Sequence, residues 1–222
     1  MYPFLKTLNS ITKAHLLGLM LTCAGLAVVM VLCAVWIITW LTAIFVHIEI
    51  GWLDTLINWI AGILVGIGGW FMLPVLIVLI GGIFQENTID RVERAYYPDR
   101  LRDKPPGFWP DIIHDIQFTL WALFLNMLIL PLYLLGIGFV VAIALNSYLL
   151  GREFFESTAG YHIGKPKARD LGKKHKIPMY IGGFVITMIT LIPVLNFFVP
   201  ILATVWMVHV HHSLNSSWQS RT

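Results

Sequence analysis

The chain has 222 residues, of which 58% are apolar and 12% charged, with a formal net charge of +3. Soluble domains carry about 45–50% apolar and about 25% charged residues, so this composition excludes a water-soluble globule and a disordered chain. The weak charge argues against a nucleic-acid binder. Cys23 and Cys33 would lie roughly 15 Å apart along one helix, too far for a disulfide, and read as buried thiols. The class that remains is an integral membrane protein.

In chain order, Asp, Glu, Lys and Arg are absent from Ala14–Ile48, Thr55–Gln85, Ile116–Leu150 and Ile177–Ser220. Each run exceeds the roughly 20 residues that a helix needs to cross a bilayer. The first is too long for a signal-peptide core of about 7–15 residues. At 1.5 Å per residue it makes about 52 Å of helix, against a hydrocarbon core of about 30 Å, so it tilts or projects. The helix of the second run is expected to continue beyond the membrane, with Ile89, Val92 and Tyr96 on one face and Asp90 paired to Arg94 at i,i+4. Pro98 ends it. Pro105-Pro106-Gly107 makes a turn, and Pro110 suits the start of the next helix.

The polar segments are unequal. Segment 49–54 carries Glu49 and Asp54 and no base, whereas 86–115 and 152–176 carry five and seven bases, and Lys6 and Lys13 precede the first run. Positive residues mark the cytoplasmic side. The N-terminus, 86–115 and 152–176 therefore belong inside, and the runs at 14–48 and 55–85 are full spans. The two later runs then have to enter and return on the same side. Each contains an interruption: Pro131 and Gly136-Ile137-Gly138 in one, and Pro193, Asn196 and Pro200 in the other. The pieces on either side are about 13–15 residues, roughly 20 Å of helix, which suits half-crossings. The predicted fold is an all-α integral membrane protein, with two long transmembrane helices and two re-entrant hairpins at about 116–150 and 177–212. Kinked full spans are the alternative.

Non-helical backbone at membrane depth lines protein or a wet cavity, and a helix N-terminus at such a tip favours an anion. Gly136, Gly138 and Asn196 are therefore candidate anion-site residues. Packing between subunits is the other reading of the tips, and capping of the last helix the other use of Asn196. Lys13 and His15 sit where they would draw an anion to a pore mouth or anchor the helix in the interface. The basic stretch Lys165–Lys176 faces anions or anionic lipid headgroups. Arg152, Glu153 and Glu156 form an ion-pair network or a gate after the third run. Asp111, His114 and Asp115 share a helical face and read as a solvated first turn. His209, His211 and His212 do not share one face and have no Cys or carboxylate close in sequence, so no metal is assigned and they read as interfacial. Gly62 and Gly66 form a small-residue pair suited to helix association. The sequence contains no P-loop, dinucleotide fingerprint, nucleophile elbow or zincin motif, so no enzyme and no cofactor are expected.

The second span flowing into an acidic–basic helix (Phe84–Tyr97), the turn Asn146–Glu156 containing Gly-Arg-Glu-Phe-Phe-Glu, and Thr190–Pro200 containing Ile-Pro-Val-Leu-Asn-Phe-Phe together resemble the CysZ family of bacterial inner-membrane sulfate permeases. The resemblance covers about residues 12–212. It implies import of sulfate, with sulfite or related oxyanions as possible substrates, for cysteine biosynthesis without an ATPase. It also implies two long helices with two half-penetrating helical pairs, and a homo-oligomer in lipid. Lys13 and His15 stand where the family carries a Gly-Leu/Ile-Arg turn associated with sulfate. Asp90 and Glu93 match acidic positions for which a gating or interprotomer role is implied. A non-transporting membrane-shaping or assembly protein is the rival reading.

Overall fold

The computed structural model describes residues 3–45, 59–60, 62, 82–102 and 105–219. Segment 49–54, most of the run 55–85 and Gly66 of the small-residue pair lie outside these residues. The described elements are all helical: α1 (Pro3–Lys13), α2 (Leu17–Phe45), α3 (82–96), a 3-10 turn (Pro98–Arg100), α4 (Phe108–Leu134), α5 (Gly138–Ile163), α6 (Lys165–Lys174), α7 (Lys176–Thr190), α8 (Pro193–Asn196) and α9 (Val199–Gln219). Three stretches, Leu17–Trp40, Phe108–Leu134 and Gly138–Ile163, are long and apolar enough to cross a membrane.

The first charge-free run does not begin as one helix. His15 adopts φ 50, and the Leu16 N–H returns to the Ile11 carbonyl at 3.0 Å, so the chain turns sharply and α2 starts at Leu17. Further along, Pro98 opens the 3-10 turn directly after α3 and Tyr97, because proline cannot continue the hydrogen-bond ladder.

α4 and α5 form a helical hairpin, and its arms are longer than the sequence reading expects. They have 27 and 26 residues because α4 begins in the polar segment at Phe108 and α5 runs on to Ile163. Arm length therefore does not force a half-crossing. Pro131 lies inside α4 and does not end it. The chain reverses at Leu135–Ile137, where Gly136 takes φ +75, a region costly for residues with a Cβ. In the later run the helix breaks where the prolines stand. Ile192 is extended before Pro193, as a residue preceding proline prefers, and α9 resumes at Val199.

α9 is the hub. Almost every residue from Val199 to His212 is buried. One side joins Leu16, Cys23, Ile89 and Val92 from α2 and α3 and the turn before α2, around Ile201, Val205 and Val208. The other joins Phe154, Phe155, Met179 and Ile186 from α5 and α7, around Ala203 and Met207. By contrast, α2 and α4 leave large apolar groups outside, including Trp36, Leu128 and Leu134. In water that surface would be strongly unfavourable at about 25 cal/mol per Å2; in a bilayer it faces the solvent it suits.

Candidate functional site

A cavity of about 620 Å3 opens between α5, α6 and α7, lined by Tyr148, Arg152, Arg169, Lys173, Lys176, Ile177, Met179, Tyr180 and Ile181. Four of these residues are bases and none is an acid. α6 owes its basicity to the run Lys165–Lys174, and the first turn of α7 brings Lys176 to the same wall. The volume lies within the range of about 300–1,000 Å3 typical of small-molecule sites. Bases grouped on a low-dielectric wall concentrate anions. The tyrosines and aliphatic residues make the rest of the surface apolar.

Arg152 is fixed from below. Its Nε donates to Glu156 Oε1 at 2.7 Å, the other Glu156 oxygen lies 2.6 Å from His114 Nε2, and the guanidinium sits 4.8 Å over the Phe118 ring. All three polar side chains are buried. The expected solvated first turn of α4 is thus corrected: His114 turns inward to Glu156. Asp111 Oδ1 accepts the Lys165 N–H at 2.8 Å, and Asp115 pairs with the Lys165 ammonium. The foot of α4 is thereby tied to the start of α6. Glu153 is half-buried, with Lys165 and Asp115 as its electrostatic neighbours.

A second buried polar cluster joins α3, α5 and α9. Glu93 Oε1 lies 2.7 Å from His162 Nε2 and 2.8 Å from His212 Nε2, and Glu93 is 1% exposed. Burial pushes the Glu93 carboxyl up, but the hydrogen bonds and charge of the two imidazoles outweigh it, so its pKa falls below the usual carboxylate value. The Tyr97 ring stacks on His212 with 4.0 Å between centroids. Ser10 Oγ donates to the Lys6 carbonyl at 2.7 Å, so it accepts the His209 Nε2–H at 2.8 Å. Neutral His209 then accepts the Tyr97 O–H at Nδ1, 2.9 Å away. Burial raises the Tyr97 phenol, which keeps that proton in place.

The remaining residues singled out in the sequence are dispersed. The Lys13 ammonium lies over the Tyr96 ring at 4.3 Å, and the His15 carbonyl accepts from Arg91 at 3.2 Å, so both belong to the α1–α3 corner. Asp90 pairs with Arg94 at 2.9 Å on an exposed face. Gly136 is exposed and Gly138 buried at the α4–α5 tip; a Cβ on Gly138 would lie 2.5 Å from the Tyr133 backbone nitrogen. Asn196 ends α8 and does not directly precede Val199, so it is not the N-cap of α9.

Sequence reasoning missed His162 and Tyr97; Arg169 lies within the basic stretch Lys165–Lys176 that the sequence offers to anions. The periodic pair Arg152/Glu156 pointed to the first cluster; nothing near His162 announces the second. The three histidines of α9 make different contacts, His209 with Ser10 and Tyr97, His212 with Glu93 and Tyr97, and His211 with the His162 and His212 rings, and all are buried because α9 is surrounded. The carboxylate that His212 meets, Glu93, comes from another helix, 119 positions away, a distance in sequence that local spacing cannot show.

A family model, described as EI24: Sulfate transporter CysZ/Etoposide-induced protein 2.4, matches residues 3–200. No individually curated protein and no solved structure matched the chain. With a match across most of its length and apolar helices of membrane-crossing size, this membrane protein belongs to the EI24 family of sulfate transporter CysZ/etoposide-induced protein 2.4.

Proposed function

We propose that the protein is a sulfate permease of a bacterial inner membrane, admitting sulfate for cysteine biosynthesis and working as a homo-oligomer in lipid. The observation that carries this reading is the cavity between α5, α6 and α7, with its four bases and no lining acid, in a chain of a transporter family. Sulfate carries two charges and cannot cross hydrocarbon unaided; bases and helix N-terminal N–H groups compensate it on the way. The charge distribution supports two full spans at 14–48 and 55–85, with hairpins at 116–150 and 177–212 returning to a cytoplasmic face formed by 86–115 and 152–176.

The test is uptake of labelled sulfate by liposomes containing the purified protein, with and without a protonophore. Saturable uptake blocked by selenate supports the permease, and the protonophore reports coupling to protons. Flux no greater than in empty vesicles, from folded protein, rules it out in favour of a membrane-shaping or assembly role.

A further inference from the structure

The geometry points to a divalent metal site at Glu93, His162 and His212, and we propose that a zinc-class ion bound there clasps α3, α5 and α9 together. The three side chains come from different helices and bring one oxygen and two imidazole nitrogens within 4.8 Å of one another. Zinc sits about 2.0–2.2 Å from nitrogen and oxygen donors, so one ion reaches all three after a small outward shift of the rings. A carboxylate with two imidazoles is a borderline donor set that suits zinc and its first-row neighbours better than magnesium or calcium.

The hydrogen-bonded arrangement leaves a deficit that an ion removes. Both Nε2 atoms converge on the same oxygen, Oε1. An ionised carboxylate only accepts, so without a cation each ring must carry a proton at Nε2. Meanwhile Glu93 Oε2 is buried with no hydrogen-bond partner among the described residues. An ion chelated by both carboxylate oxygens satisfies them; each imidazole then carries its proton on Nδ1 and presents the Nε2 lone pair, the His212 Nδ1 being free of hydrogen-bond partners among the described residues. The surroundings favour order over turnover. Glu93 and His212 are almost fully enclosed, and the Tyr97 ring, held by His209 and Ser10, fixes the plane of His212. An adjoining cavity of about 330 Å3 reaches His212 and provides a way in. Because the three donors come from three helices, the binding energy of an ion there adds to folding.

The experiment uses the full-length protein in detergent with its affinity tag removed. Protein stripped with chelator is reloaded with Zn2+ and, separately, with Co2+. We expect about one ion per chain by mass spectrometry, cobalt bands in the visible spectrum, and a melting temperature raised by Zn2+ and lowered again by chelator. Glu93→Gln keeps one acceptor for the imidazoles but is a poor ligand, and His212→Gln removes a nitrogen. Each is expected to weaken binding by at least about a hundredfold, whereas His175→Gln leaves it unchanged. Folded, stripped wild-type protein that takes up neither ion at micromolar concentration overturns the proposal and leaves a purely hydrogen-bonded clasp. Uptake that persists in both ligand variants overturns it too, by placing the ion elsewhere. The wild-type measurement decides the matter even if a variant fails to fold, and it does not depend on sulfate transport.

Discussion

Gly151 of α5 and Gly183 of α7 meet backbone to backbone: a Cβ on Gly151 would lie 2.5 Å from the Met179 carbonyl oxygen and 3.1 Å from the Gly183 Cα. A Cβ on Gly183 would overlap the Ser147 carbonyl oxygen. Small residues allow such close approach, and in lipid that packing replaces the hydrophobic drive available in water. The contact also sets the cavity, because Arg152 follows Gly151 on one wall and Lys176 to Ile181 form the other. Gly183→Ala is expected to force the helices apart and to destabilise by about 1–3 kcal/mol, the usual range for overpacking. Thermal unfolding in detergent reads this. An unchanged melting temperature would show that the crossing is looser than described.

Glu156 holds two partners at once, Arg152 at 2.7 Å and His114 at 2.6 Å, with all three buried. Removing one member of such a group leaves an uncompensated charge, which costs about 3–5 kcal/mol. Glu156→Ala is expected to lower stability by that order. Glu156→Gln, which still accepts a hydrogen bond, should cost clearly less. Denaturation of both variants, together with His114→Ala and the double variant, measures the coupling. Strict additivity of His114→Ala and Glu156→Ala would mean that the pair does not act as a unit.

These two relationships show what was legible in the sequence and what was not. Charge-free runs and basic segments made the membrane class and the helical content readable, because the bilayer constrains composition directly. Pro193 and Gly136 marked real breaks. Pro131 did not: α4 runs through it to Leu134, as helices in membranes tolerate proline. The arms outrun the charge-free run because a charge does not end a helix: α4 and α5 carry Asp111, Arg152 and Glu156 as ordinary helical positions. The candidate sites fared according to sequence distance. Arg152 and Glu156, four apart, were visible as a pair. Glu93 with His162 and His212, separated by 69 and 119 positions, needed the fold.

The basic cavity makes a prediction separable from folding. Arg169 is half-buried and Lys176 exposed, so replacing either with alanine should leave the melting temperature nearly unchanged, as for most surface substitutions. If the cavity receives the anion, each variant lowers sulfate uptake at low substrate concentration by about tenfold, the equivalent of about 1.4 kcal/mol. The loss should shrink as salt rises, because screening weakens the field of exposed bases. Equal uptake by wild type and the Arg169→Ala/Lys176→Ala variant at low salt would remove this cavity from the sulfate path.

Membrane topology gives the last prediction. Single cysteines are placed at Lys167 on α6, at Leu135 in the turn between α4 and α5, and at Glu49, with Cys23 and Cys33 replaced by serine. The charge distribution puts Lys167 inside and Glu49 outside. If α4 and α5 form a re-entrant hairpin, a membrane-impermeant thiol reagent added outside labels position 49 and leaves 135 and 167 untouched, and opening the vesicles exposes 167. If the two helices are full spans, both returning to the side of 167, position 135 reacts from outside. The lengths of α4 and α5 permit either arrangement. The basic residues of 152–176 remain inside in both, so labelling at 135 alone distinguishes them. Rapid external labelling at Leu135 would therefore replace the hairpin with a pair of crossings and make Gly136 part of an outer turn.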